Sequence, residues 1–99
     1  MGKRKVIWSN NANRKLFEIM EFYARRNGSK TYSIKLYQKF NKELKLLIKQ
    51  PEMGIKTEVA SVRGLIIEDY ILFYEFDVER IIVHTLWDCR QNPNDLRIK

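Results

Sequence analysis

Tyr70-Ile71-Leu72-Phe73-Tyr74-Glu75-Phe76 is the stretch on which the fold turns. Aromatic and β-branched residues dominate it, and short polar links flank it: Glu68-Asp69 before, Asp77-Val78-Glu79 after. That pattern predicts a strand set between two hairpin connections. Successive side chains of a strand point to opposite faces. One set is Tyr70, Leu72, Tyr74 and Phe76, wholly apolar or aromatic, and it is predicted to lie under a covering layer. The other set is Ile71, Phe73, Glu75 and Asp77.

Moving outward, Arg80 to Trp87 reads as a further strand, rich in Ile and Val, and Val59 to Ile67 as another around Gly64. The three predict an antiparallel meander, which the short apolar run Lys5-Val6-Ile7-Trp8 joins as an N-terminal strand. Between them the period changes to that of a helix. Ser9, Asn10 and Asn11 are good N-caps for a helix carrying Ala12, Leu16, Ile19, Met20, Tyr23 and Ala24, stopped by Gly28. Ser29 or Thr31 caps a second helix, with Ile34, Tyr37, Phe40, Leu44, Leu47 and Ile48 as its apolar positions. Pro51 ends it, because proline lacks an N–H and restricts the residue before it. The fold class is therefore α+β: an N-terminal strand and an antiparallel two-helix hairpin packed on one face of an antiparallel β-sheet. Residues 1–99 make one domain, with a polar tail from about residue 90.

Two helices cover one sheet face and leave the other open. If the last strand stays regular, His84, Leu86, Asp88 and Arg90 share a face, and Val83, Thr85 and Trp87 share the opposite one. His84, Asp88 and Arg90 are assigned to the open face; one bulge reverses the assignment. Ile71 and Phe73 on that face call for a cover, either a partner or a second copy.

Charge narrows the partner. The chain carries a net +7 over 99 residues. Residues 1–50 hold 13 Lys/Arg against 3 Asp/Glu, or +10, and residues 51–99 hold 6 against 9, or −3. A basic first half suits nucleic acid, an acidic protein segment or an anionic membrane. No run approaches the roughly 18 apolar residues that span a bilayer. Met1-Gly2-Lys3-Arg4-Lys5 is not followed by a signal core, and Val6 rules out myristoylation at Gly2. A lone Cys89 allows no intrachain disulfide and implies a reducing, cytoplasmic setting, with the thiol expected to be buried. With His84 the only histidine, zinc sites built from cysteine pairs are excluded, and no metal or cofactor is expected.

The chain resembles the RelE/ParE superfamily of bacterial toxins. The resemblance runs through Trp8-Ser9, then Ala12, Leu16, Ile19 and Tyr23, the helix ending before Pro51 and Gly54, and Arg63-Gly64-Leu65. It continues through Asp69 to Tyr74, then Ile81-Ile82-Val83 into Asp88-Cys89-Arg90-Gln91-Asn92-Pro93. It implies the toxin of a type II toxin–antitoxin pair, of the kind associated with plasmid stabilisation. Such a toxin inhibits growth when freed from its cognate antitoxin, as a homodimer or a toxin–antitoxin hetero-oligomer. RelE-like members are ribosome-dependent mRNA endoribonucleases that need no metal; ParE-like members act on DNA gyrase. RelE-like enzymes carry an arginine directly after the central-strand tyrosine, where this chain has Ile71, and no tyrosine follows Tyr74. The basic-polar-proline segment Arg90-Gln91-Asn92-Pro93 is similar to the ParE pattern.

Three readings follow. A ParE-like toxin would bind its target or antitoxin through Ile71, Phe73, Glu75, Asp88, Arg90, Gln91 and Asn92. A RelE-like nuclease would use His84 as base and Arg63 and Arg90 as phosphate clamps. A non-toxic nucleic-acid-binding module would use the lysines of the second helix. Each residue has a plainer role as well. His84 suits an ordinary strand position, Arg63 and Arg90 suit salt bridges to Glu75, Asp88 or Glu68, and Asp88 suits a turn cap. Tyr23 and Tyr37 suit the core.

Overall fold

The computed structural model describes residues 4–96. Calls on Gly2 and on the last three residues of the tail lie outside that range. The chain runs β1 (Lys5–Trp8), α1 (Asn10–Asn27), α2 (Thr31–Lys49), β2 (Ile55–Lys56), β3 (Arg63–Ile67), β4 (Tyr70–Phe76) and β5 (Arg80–Asp88). A 3-10 turn over Pro93–Asp95 follows. The sheet order is β1-β5-β4-β3-β2. All neighbours are antiparallel except β1 and β5, which pair in parallel from Lys5↔Arg80 to Trp8↔Val83.

Ser9 shows how the strand-to-helix corner is fixed. Its Oγ accepts from the Ala12 N–H (3.0 Å) and donates to the His84 carbonyl (2.7 Å). One hydroxyl thus caps α1 and ties its start to β5. Ser9→Ala removes both bonds and is expected to cost about 1–2 kcal/mol; urea denaturation should show the midpoint fall with no change in slope. At the other end of α1, Gly28 adopts φ 67°, the left-handed cap glycine tolerates best.

The second helix departs from expectation at two points. Lys30 occupies its N-cap without a side-chain cap bond, so neither Ser29 nor Thr31 serves. Its buried stripe is Ser33, Leu36, Phe40, Leu44 and Leu47, while Ile34 and Tyr37 are exposed. The cause is Ser33, which donates to the Met20 carbonyl at 2.7 Å and so occupies the core face as a satisfied polar group. Taking an apolar residue for that position rotates the inferred stripe.

Between Pro51 and β3 the chain makes the two-residue β2 and then a loop, rather than a strand starting at Val59. Ser61 takes φ 72° there, and the Thr57 hydroxyl donates to the Val62 carbonyl at 2.9 Å.

The alternation of β4 holds as expected. Tyr70, Leu72 and Tyr74 sit in the main core with Phe40, Leu47, Ile81, Val83 and Leu86, and Phe76 packs at its margin. The other face is covered in part, although Ile7 and Ile66 on it stay exposed. Phe73, Val62 and Trp87 form a second buried cluster, with Val59, Ile71 and Leu96 packed around it. Phe73 is only 4% exposed, so the cover expected over Phe73 and Ile71 is supplied by this chain itself: Val59 and Val62 of the loop before β3, and Leu96 of the tail.

Candidate functional site

A bulge decides where the candidate residues point. Phe73 pairs with Thr85, but the next residue, Tyr74, pairs with Val83, so His84 is the extra residue of β5. Both sequence-derived face sets are split by it. Ile81 and Val83 face the helices, and so do Leu86 and Asp88 beyond the bulge, while Thr85 and Trp87 face away. His84 stands on the face away from the helices, with its Nε2 2.5 Å from Glu75 Oε1, both half-buried. Asp88 and Arg90 do not share that face. They lie on the helix side, contrary to the assignment from regular alternation.

Arg90 is the hub of the helix-side site. Its guanidinium forks onto Asp88, Nε to Oδ1 and Nη2 to Oδ2, each at 2.9 Å. Nη2 also donates to the hydroxyls of Tyr23 (3.0 Å) and Tyr70 (3.4 Å), and Tyr70 donates to Tyr23 (3.2 Å). The neighbouring carboxylate and backbone complete the turn: the Arg90 N–H bonds Asp88 Oδ1, the Cys89 N–H bonds the Asp69 carbonyl, and Gln91 bonds back to Asp88. Asp88 therefore both orients Arg90 and caps the tail turn. Tyr23 joins the core as expected, and its ring meets Phe22 and Tyr32 at centroid distances of 5.0 and 4.6 Å. Beside the hub is an open groove of about 360 Å³, lined by Lys15 and Arg90, by Glu18 and Asp88, and by Ile19, Phe22, Tyr70, Leu86 and Gln91.

The electrostatics follow from these contacts. The Arg90 hydrogen bond holds the Asp88 carboxyl below the usual range, and Asp88 and then Tyr23 hold Arg90 firmly protonated. Burial, reinforced by the Tyr23 hydroxyl, pushes Tyr70 well above an ordinary phenol. A depressed carboxyl stabilises the fold above its unfolded pKa and loses that contribution as pH falls through the folded value. Stability is therefore expected to drop below about pH 4, with a shallower drop in Asp88→Asn. Chemical denaturation at stepped pH measures the difference. Cys89 is exposed rather than buried, and desolvation followed by the charges of Asp88 and Asp69 raises its thiol.

Arg63 lies elsewhere. It pairs with Tyr74, and its Nη1 donates to the carbonyls of Gly54 (2.9 Å) and Glu52 (3.2 Å), clamping the loop before β2. Asp88 pairs with Tyr70 on the opposite side of β4. Four residues of strand separate the two positions, roughly 14 Å. The structure thus brings Asp88, Arg90 and Gln91 together. It leaves Arg63 at the other end of the sheet and His84 on the other face. Glu75 meets His84, while Ile71 and Phe73 belong to the second cluster. Asn92 is exposed and caps the 3-10 turn by accepting from the Asn94 N–H. Sequence reading did not single out Tyr70 as a site residue; its aromatic position at the hairpin opposite Asp88 was the available signal. Among the described residues, no group of three or more His, Cys, Asp or Glu is placed to hold a metal ion, and no helix is long and apolar enough to cross a membrane.

Two helices laid across a five-stranded, mostly antiparallel sheet, with a groove of mixed charge at its end, define an α+β fold. The structure titled "Chromosomal ParDE TA system from P. aeruginosa" shares this fold. It matches at a TM-score of 0.73 and 20% identity, over 87% of this chain and 96% of that one. The family described as "ParE toxin of type II toxin-antitoxin system, parDE" matches residues 6–93, and the chain belongs to it. No curated protein matches the chain by sequence.

Proposed function

We propose that this chain is the growth-inhibiting toxin of a two-component pair, acting on DNA gyrase in the ParE manner and neutralised by an acidic antitoxin in the cytoplasm. Membership of the ParE toxin family supports the class. The dispersal of the nuclease candidates carries the choice of target. Cleavage through a 2′-hydroxyl needs a base and a phosphate clamp around one phosphate. His84 and Arg90 lie on opposite faces, and Arg63 is spent on backbone carbonyls. Arg90 is instead held rigidly beside a groove, as a contact residue for a protein surface would be. In this reading Arg90, Gln91 and Asn92 meet the target.

Induction in a bacterial host tests the proposal, and growth arrest is expected. Purified protein should slow supercoiling by gyrase; an unchanged rate at high toxin excess removes gyrase as target. Mapping of mRNA ends after induction covers the alternative. New cuts at ribosomal A-site codons, lost in Arg90→Ala, would replace this reading with the endoribonuclease.

A further inference from the structure

We infer that the outward face of α2 is a docking surface for duplex DNA, gripped by its phosphate backbone without readout of sequence. Nothing in this depends on the toxin reading. Over Thr31–Lys49 the helix carries Lys35, Lys39, Lys42, Lys45 and Lys49 against a single acid, Glu43. At 3.6 residues per turn the five lysines fall within about one third of the circumference, opposite the buried stripe of Ser33, Leu36, Phe40, Leu44 and Leu47. Glu43 lies on the flank of this row, and Gln38 and Leu46 interrupt it. All five lysines are exposed. Lys39 reaches Glu68; among the described residues the other four form no ion pair. A solvated helix face usually mixes both signs of charge. Here successive lysines stand three or four residues apart, the spacing at which like charges repel on a helix surface. That repulsion is uncompensated in the free chain, and a polyanion laid along the row relieves it.

The composition of the row selects the polyanion. An acidic protein segment needs apolar anchors, and Leu46 is the one large apolar side chain within the row. A membrane needs the apolar side of the helix, and that side is packed in the core. Single strands need exposed aromatic platforms, whereas the exposed rings of α2, Tyr32 and Tyr37, lie outside the row. Readout of base edges or of RNA 2′-hydroxyls needs polar side chains, and Gln38 alone is at hand. What remains is lysine, a point charge suited to phosphate. From Lys35 to Lys49 the row extends about 21 Å along a helix fixed by its core face. Duplex DNA presents one charge per roughly 1.7 Å of axis, so a rigid row meets a rigid, dense line of phosphates.

The probe is a fluorescein-labelled DNA duplex of about 20 base pairs, long enough to cover the row. It is titrated with the full chain and followed by anisotropy at several salt concentrations. Binding should be equal for two unrelated sequences, with log K falling against log salt at a slope of about −4, the value for four or five lysine–phosphate contacts. Lys42→Gln should make that slope shallower by about one. Lys42→Gln, Lys45→Gln and Lys49→Gln together should weaken binding by roughly tenfold or more at low salt. Arg14→Gln, Arg25→Gln and Arg26→Gln together remove the same charge from exposed positions of α1 and should leave most of the affinity. Circular dichroism verifies that both triple variants are folded. Equal losses from the two sets would mean attraction by net charge alone and would overturn the docking surface. So would a slope near zero. So would a single strand or polyglutamate bound as tightly as the duplex, or a duplex RNA bound more tightly, since each gives the row to another polyanion. None of these outcomes depends on toxicity, so growth arrest on induction decides the toxin reading separately.

Discussion

Gly54→Ala is expected to destabilise the fold by about 2–3 kcal/mol or to prevent folding, the cost of forcing atoms into a filled core. A Cβ at Gly54 would stand 2.5 Å from the Tyr74 hydroxyl oxygen, 2.7 Å from its Cε1 and 3.0 Å from the Gly64 carbonyl. Neither partner has room to move. Tyr74 is fully buried, and its hydroxyl accepts from the Gly54 N–H (3.0 Å) while donating to the Pro51 carbonyl (2.7 Å). The same phenol thus closes the end of α2 and the start of β2 onto β4. Burial pushes its pKa up, further from neutral pH. Tyr74→Phe leaves a buried N–H and a carbonyl without their partner and is expected to cost about 2 kcal/mol. The double variant should cost less than the two single costs added together, because the hydroxyl that clashes with the new methyl is gone. Urea denaturation of the four proteins measures the coupling. Strict additivity would show that the glycine is required for some other reason.

That lock was half visible in the sequence. The alternation of Tyr70, Leu72 and Tyr74 marks the buried face of β4 because large residues at every second position have one physical reading. Pro51 and Gly54 mark the end of a helix and a turn. Nothing in the local pattern says that Tyr74 reaches them, since that contact joins residues 20 or more apart in sequence. The bulge at His84 was legible only as a contingency. Ile81-Ile82-Val83-His84-Thr85-Leu86 is β-prone throughout, and either register buries apolar groups. Pairing with β4 fixes the choice, and with it the side of the sheet on which Asp88 and Arg90 stand. Ser33 misled for a different reason. Hydrophobic periodicity counts a serine as surface, whereas this hydroxyl is satisfied by a carbonyl on the neighbouring helix. At two residues, β2 is too short to carry a period. The apolar Ile71 and Phe73 were correctly placed away from the helices, but the cover comes from Val59, Val62 and Leu96, which lie far from them in sequence.

Arg90→Ala is expected to raise the inducer dose needed to halt growth by on the order of tenfold to a hundredfold, the scale of losing a central arginine contact. Its side chain is 49% exposed, yet four oxygens of Asp88, Tyr23 and Tyr70 hold it in place. An exposed cation with so little freedom loses little entropy when a partner docks. Lysine cannot reproduce the arrangement, since an ammonium has no planar fork to hold two carboxylate oxygens while reaching the tyrosines. Arg90→Lys should therefore fall nearer to Arg90→Ala than to the parent. Loss of the network also loosens the tail turn, so stability has to be separated from contact. Tyr23→Phe does that: it removes one hydroxyl from the network and keeps the Arg90–Asp88 fork, so it should lower stability while leaving most of the growth arrest. Lys15→Glu reverses a charge on the groove wall outside the network and should weaken arrest with little effect on folding. Circular dichroism at growth temperature verifies that each variant is folded. If Arg90→Ala and Lys15→Glu are folded and still arrest growth at the parent dose, the target docks elsewhere. If Arg90→Ala and Tyr23→Phe both fail while Lys15→Glu still arrests growth at the parent dose, the network serves the fold and the groove is not the contact surface.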